Sequence, residues 1–318
     1  MQRTRLDTAR ILAARTVIDP LFLDTPLYRC EALEPELGCE VRIKLETANP
    51  VRSFKGRGTE VMASRLASQG QTAVVCASAG NLGQALAWSG RGRGLDVTVV
   101  ASRSAPEAKL ERIRALDATL ELVDGDIENA RERARAIARH RGIRLLEDSL
   151  DLETCEGAAT IGLELAEGPP FDAVLVALGG GAMASGIGHV LKALAPGVEV
   201  ICVQPLGAPA MTRSWQQRRV VTTDAIDTIA DGVAGRFPIP DVLGDLLLVA
   251  DDAVLVREAS ILAGMRLLLD RAGLVVEPSA ALGLAAVLED RQRFAGRRVV
   301  TVVCGSNVDA GSYRRWVG

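Results

Sequence analysis

Short, mainly apolar runs separated by helix-length segments constrain this chain more than any other feature. The runs lie at 41–45, 73–76, 97–100, 120–123, 173–178, 198–203 and 299–304. A strand with one wet face alternates apolar and polar residues, whereas a strand covered on both faces is apolar throughout. The segments between them carry the helical half of the pattern. Over 127–140, Ile127, Ala130, Ala134 and Ile137 recur on one face with Arg and Glu opposite. Strands alternating with helices predict an α/β fold whose mostly parallel sheet is flanked by helices.

The chain has 318 residues, 48% hydrophobic and 24% charged, which suits one large α/β unit or two domains. Its net charge of −3 gives no basic field for nucleic acid, and 3% aromatics leave no stacking platform for single strands. Arginine-rich stretches such as 131–135 read as the solvated faces of helices. The six cysteines show no CxxC spacing and predict reduced, mostly buried thiols. With no apolar leader or spanning run at the N-terminus, a cytoplasmic protein with no membrane partner is expected. His140 and His189 are the only histidines, thin support for a histidine metal site or hydrolase triad. His140 is explained by the end of its helix, where a positive charge suits the dipole.

In parallel α/β folds ligands bind at the carboxyl ends of the strands. Three polar or glycine-rich turns fall there: Cys76-Ala-Ser-Ala-Gly-Asn81, Gly179-Gly-Gly-Ala-Met-Ala-Ser-Gly186 and Cys304-Gly-Ser-Asn-Val-Asp309. Consecutive glycines between a strand and a helix let several N–H groups point at one anion. The 179–186 turn lacks the GxGxxG spacing of a dinucleotide site and the Gly-Lys-Ser/Thr of a nucleotide loop, so a small monophosphate is the expected guest. Ser78 and Asn81 offer donors for a carboxylate or a ring oxygen. Cys304 ends an apolar strand, where a thiol is either inert packing or a weak, neutral hydrogen-bond partner. After Asn49-Pro50 the pattern turns helical, with Ser53 the expected N-cap and Lys55 in the first turn. The positive end of the helix dipole opposes a lysine there, so Lys55 is the candidate reactive amine.

Taken in order, Ser53-Phe-Lys55-Gly-Arg57-Gly58, Ser78-Ala-Gly-Asn81, Gly179-Gly-Gly181, Thr228-Ile-Ala-Asp-Gly232, Glu277-Pro-Ser279 and Cys304-Gly-Ser-Asn307 resemble the successive motifs of fold type II pyridoxal-phosphate enzymes. Within these the chain most resembles the serine/threonine dehydratase (ammonia-lyase) and serine racemase group, over nearly its whole length from residue 25 to 307. The resemblance implies a tryptophan synthase β-like fold with two domains, each a twisted, mostly parallel sheet flanked by helices. The large domain would comprise 1–71 and 149–318, with a smaller α/β domain, 72–148, inserted, and the protein would be a homodimer.

It further implies pyridoxal 5'-phosphate bonded to Lys55, with Phe54 near the ring, Asn81 on the ring hydroxyl and Cys304 facing the ring nitrogen. Gly179, Gly180, Gly181, Ala182 and Met183 would cradle the phosphate, and Gly232 would complete the cofactor site. Ser78, Ala79, Gly80 and Asn81 would take the carboxylate of a small amino-acid substrate. Ser149 would sit near its side chain, in Glu147-Asp148-Ser149, where relatives carry Pro-Phe or Pro-Asn. Glu277 is either a site residue or the start of a helix at Pro278.

The departures matter. Ala79 replaces the second serine of the racemase branch, Ala182 a fourth glycine, Arg52 a glycine and Leu82 a frequent histidine. Gln204 and Ala210 replace the acids of the divalent-cation site, so no such metal is expected. The chain ends soon after Asn307, with no room for the allosteric C-terminal domain of biosynthetic threonine dehydratases. The expected reaction is β-elimination from a β-hydroxy amino acid, L-threonine or L-serine foremost, giving a 2-oxo acid and ammonia. A β-replacement synthase of the cysteine synthase type, another lyase or racemase on a related amino acid, and a catalytically dead ligand-binding homologue are the alternatives.

Overall fold

The computed structural model describes residues 3–318. Among these described residues ten strands form: β1 (Leu27–Arg29), β2 (Glu40–Leu45), β3 (Ala73–Ala77), β4 (Asp96–Ser102), β5 (Thr119–Val123), β6 (Arg144–Leu146), β7 (Ala173–Ala177), β8 (Glu199–Pro205), β9 (Asp252–Val256) and β10 (Arg298–Val303). They make a six-stranded sheet in the order β1-β2-β10-β7-β8-β9 and a four-stranded sheet in the order β5-β4-β3-β6. All pairings are parallel except β1 with β2, in the register Leu27 opposite Lys44. The architecture is the expected α/β one, two mostly parallel sheets flanked by helices.

Each apolar run in the sequence became a strand, with ends shifted by one or two residues. The strands not read from the sequence, β1, β6 and β9, all lie at sheet edges. Edge strands keep one side in solvent, and β1 exposes Tyr28 and Arg29.

Burial follows the two-residue period of the strands. In the four-stranded sheet Val74 and Cys76 pack with Met62, Leu66 and Leu86 on one face. Val75 and Val100 pack on the other face against Ala130, Ala134 and Ile137 of the Ile127–Arg141 helix. Ile127, expected on that apolar face, is 37% exposed and instead borders a cavity. The larger core covers both faces of the six-stranded sheet, around β7, β8 and β10. Each fully buried Val or Ile contributes about 1.5–3 kcal/mol relative to exposure. All six cysteines are buried and unpaired.

The helix Lys55–Ser68 begins where expected, but Ser53 does not cap it. Phe54 occupies the N-cap position and makes no side-chain cap bond, and the Ser53 hydroxyl is buried without a partner. Long-range pairing overrides the local rule here. Ser53 bridges to Gly305, and Phe54 N–H donates to the Cys304 carbonyl at 3.1 Å. Asn49 closes the turn instead: its amide donates to the carbonyls of Glu46 (2.9 Å) and Ser53 (3.2 Å) and accepts from Val51 N–H at 3.1 Å.

Arg52, exposed, sits in this turn at φ +53°, a region that costs an L-residue about 1–2 kcal/mol. Burial, and then the neighbouring Arg52 charge, push the Arg112 guanidinium below its ordinary pKa, so the two cations also repel. Arg52→Gly relieves both and is expected to raise stability by about 0.5–1 kcal/mol, net of glycine's unfolded-state entropy. A urea midpoint that stays put or falls would contradict this reading of the turn.

Candidate active site

The carboxyl ends of β3, β6, β7, β8 and β10 border one cavity of ≈ 640 Å³ lined from both sheets. Every residue singled out in the sequence for cofactor or substrate borders it: Phe54 and Lys55, the turn Ser78 to Asn81, Ser149, Gly179 to Met183, Gly232 and Cys304. Neither His140 nor His189 does. His140 lies in the last turn of its helix, as expected, and His189 is held by the hydroxyls of Thr4 and Thr8.

Lys55 is the first residue of its helix, and its side chain is 16% exposed. Its ammonium lies 4.7 Å from the centroid of the Phe54 ring. It donates to both oxygens of Asp148, at 2.8 and 2.6 Å. The sequence marked Asp148 only as a departure; a pair 93 residues apart has no local signal.

The 179–181 turn is shaped for close approach. Gly181, at φ +108°, takes a left-handed conformation that lets the helix Ala182–Leu194 start at once. A β-carbon on Gly180 would come within 2.5 Å of the Ser149 hydroxyl oxygen, so only glycine fits above it. Ala182 N–H donates to that same oxygen at 3.1 Å. Ala182 itself is helical, so replacing a glycine there costs no strain. Ser149 is held at φ +67°, and its N–H donates to the Thr154 hydroxyl at 3.0 Å.

Across the cavity stands Glu277, which the sequence left between two readings. It is the N-cap residue of the Pro278–Ala281 turn, and its buried carboxylate borders the cavity. Burial pushes its carboxyl up to about 7, against the hydrogen bonds that favour the charged form. Asn81 donates to its two oxygens at 2.9 and 3.1 Å, and Asn307 N–H donates at 3.1 Å. Asn307 also donates from its amide to Asn81 Oδ1 at 2.7 Å. The Asn81 amide, expected on a ring hydroxyl, is thus oriented by these two neighbours. Beside them the Cys304 thiol is pushed far up by burial and then by the Glu277 charge, so it stays a neutral thiol.

Two further polar groups on the cavity wall were named in the sequence but given no role toward a ligand there. The Ser279 hydroxyl and the Gln204 amide nitrogen are buried without a partner, while Gln204 Oε1 accepts from Thr212 N–H at 2.9 Å. Among the described residues no group of three or more His, Cys, Asp or Glu is placed to hold a metal ion. Among them, too, no helix is long and apolar enough to cross a membrane.

These parts suit a ring bearing an aldehyde and a phosphate. An amine, a neutral thiol and an unsatisfied hydroxyl face a glycine turn at a helix start, where an anion is favoured.

Comparison with known proteins gives the same answer. A family model described as pyridoxal-phosphate dependent enzyme matches residues 18–305. The L-threo-3-hydroxyaspartate ammonia-lyase of a Pseudomonas species is 34% identical over 91% of this chain and 91% of its own length. The L-threonine ammonia-lyase of Thermotoga maritima is 33% identical over 92% of this chain and 73% of its own. Among solved structures, maize serine racemase superposes with a TM-score of 0.92 at 28% identity, over 97% of this chain and 96% of its own.

Proposed function

The chain belongs to the pyridoxal-phosphate-dependent enzymes, and from that premise we propose that it is an ammonia-lyase for a β-hydroxy amino acid, L-threonine or L-serine foremost. Its cofactor is pyridoxal 5'-phosphate. The observation that carries the proposal is the single cavity that Lys55, the Gly179 to Gly181 turn and the neutral Cys304 all line.

In this reading Lys55 would anchor the cofactor at its aldehyde and would be free as an amine once a substrate is bound. N–H groups of the 179–183 turn would hold the phosphate, helped by the helix start, with Gly232 completing the cofactor site. Phe54 would lie near the ring, the Asn81 amide, oriented by Glu277 and Asn307, would serve the ring hydroxyl, and Cys304 the ring nitrogen. The cofactor supplies an electron-withdrawing ring that weakens the bonds at the substrate's Cα. A thiol cannot hold the ring nitrogen as a cation the way a carboxylate would, which favours prompt loss of a β-substituent.

Ser78, Ala79, Gly80 and Asn81 bind the substrate carboxylate, and Ser149 lies near its side chain. Lys55 takes the Cα proton as a neutral amine. The β-hydroxyl leaves with a proton as water. The released enamino acid then hydrolyses to a 2-oxo acid and ammonia. Ala79 has no proton to give to the opposite face of Cα, which counts against racemisation.

The protein of this proposal is a cytoplasmic homodimer with a large domain from 1–71 and 149–318 and an insert of 72–148. The test is turnover by cofactor-loaded enzyme. L-threonine is expected to give 2-oxobutanoate, and L-serine pyruvate, each with one ammonia. No 2-oxo acid from any β-hydroxy amino acid would overturn the proposal. Sulfide trapped into cysteine faster than pyruvate forms would replace it with β-replacement.

A further inference from the structure

In the proposed reaction Lys55 is a free amine while substrate is bound, and it becomes positively charged when it takes the Cα proton. That charge arises at a poor place. Lys55 is the first residue of its helix, where the dipole disfavours a cation. Its flexible four-carbon stem also gives the free amine many rotamers, and only some of them serve the reaction.

Asp148 answers both difficulties. Its two oxygens accept from Lys55 Nζ at 2.8 and 2.6 Å, and among the described residues its side chain has no other hydrogen-bond partner. The other cations of the cavity wall are engaged elsewhere. Arg135 pairs with Glu147 at 2.6 Å, Arg131 with Glu128 at 2.5 Å, Arg236 with Asp126 at 3.0 Å, and Lys109 with Asp231. The carboxylate is also fixed from behind. The next residue, Ser149, sits at φ +67°, its N–H donates to the Thr154 hydroxyl at 3.0 Å, and its carbonyl accepts from Arg5 at 3.2 Å. Arg5 in turn donates to the Leu150 carbonyl at 3.0 Å and to the buried Asp245 at 2.7 Å. A negative charge set in place beforehand stabilises a developing positive one without reorganisation.

We propose that Asp148 is the positioning residue for Lys55: it accepts from the free amine's two N–H groups, which turns the lone pair away from the 147–150 loop, and it offsets the charge that the Cα proton brings. The Cα–H bond breaks, its electrons stay on the substrate, and Nζ takes the proton. Lys55 then gives that proton to the departing β-hydroxyl, which leaves as water, while Asp148 stays a carboxylate throughout. The inference rests on the ammonia-lyase reading for the elimination, but holding a displaced amine is a property of amino-acid binding.

The test compares a ligand that displaces Lys55 with one that cannot. L-Alanine has an amine to exchange with Lys55 and no β-substituent to lose, whereas propionate has a carboxylate and no amine. In cofactor-loaded enzyme, alanine binding is read from the cofactor's visible absorbance and propionate binding from its competition with alanine. In Asp148→Asn alanine is expected to bind about tenfold more weakly, with propionate within about twofold of wild type. Asp148→Glu should recover part of the alanine affinity. On a β-hydroxy amino acid, Asp148→Asn should lower kcat about a hundredfold and enlarge the isotope effect of deuterium at Cα.

Alanine affinity within about threefold of wild type in Asp148→Asn overturns the inference. So does an equal loss for alanine and propionate, which would mean that the substitution distorts the cavity instead of releasing the amine. Failure of the ammonia-lyase reading shows separately, as absence of any 2-oxo acid while the alanine and propionate affinities still diverge in the variant.

Discussion

Lys55→Ala is expected to lower turnover roughly a thousandfold or more while the protein stays folded. Lysine does two jobs in the proposed reaction, as anchor of the cofactor and as the base that takes the Cα proton, and alanine does neither. Its fold cost should be small. The side chain is held mainly by Asp148, and the helix it starts is fixed by backbone pairing to Gly305 and Cys304. Three measurements check this together: ammonia release, the visible absorbance of lysine-bound cofactor, and peptide mapping after borohydride reduction. The wild type should carry the reduced cofactor on the peptide containing Lys55, and the variant should carry none. An adduct on another lysine, or turnover within tenfold of wild type, would remove Lys55 from the reaction.

The central strands were legible because burial on both faces leaves little room for polar residues, and 173–178 and 299–304 show this most plainly. The 179–181 turn was legible because a strand that runs straight into a helix needs glycine where a β-carbon would strike, as at Gly180 against Ser149. What escaped was long-range. A cap at Ser53 obeys the local rule, but the chain there belongs to the end of β10 and takes its geometry from Gly305. Asp148 was visible only as an odd residue in a loop, and its meaning comes from a lysine 93 positions away. Glu277 stood between two readings because nothing near it in sequence reports that Asn81, 196 residues distant, donates to its carboxylate. The edge strands escaped for another reason: β1 and β6 are three residues long and carry charged side chains.

The largest expected loss of stability follows from Arg57, two residues after Lys55 on the same helix and fully buried at 0% exposure. Its guanidinium donates to both oxygens of Glu46, each at 2.8 Å. It also donates to both oxygens of Glu164, at 2.6 and 2.9 Å, and to the hydroxyl of Thr160 at 2.8 Å. Lys44 completes the group by pairing with Glu164 and donating to the Thr25 carbonyl at 2.7 Å. Two buried cations thus balance two buried carboxylates and tie the start of the Lys55–Ser68 helix to β2 and to the Leu152–Glu167 helix. Burial pushes the Glu164 carboxyl up, but the hydrogen bonds and charge of Arg57, then of Lys44, outweigh it and hold the group below its ordinary range.

Arg57→Met keeps the volume and removes the charge, leaving Lys44 alone against both carboxylates. A buried charge stripped of its partner costs about 3–5 kcal/mol, and a shift of the urea midpoint at an unchanged slope should report it. The sign of its pH dependence is fixed. In the wild type Glu164 is held below the unfolded chain's value, about 4.3, so its pairing contributes stability that is full at neutral pH and is lost as pH falls. The variant loses the Arg57 share of that contribution, so its deficit is full at neutral pH and shrinks as pH falls below the unfolded value. Glu46→Gln added to Arg57→Met should recover part of the loss at pH 7, because it removes the stranded charge. A deficit below about 1 kcal/mol, or one that grows on acidification, would mean that these buried ions do not hold the helix carrying Lys55 in place.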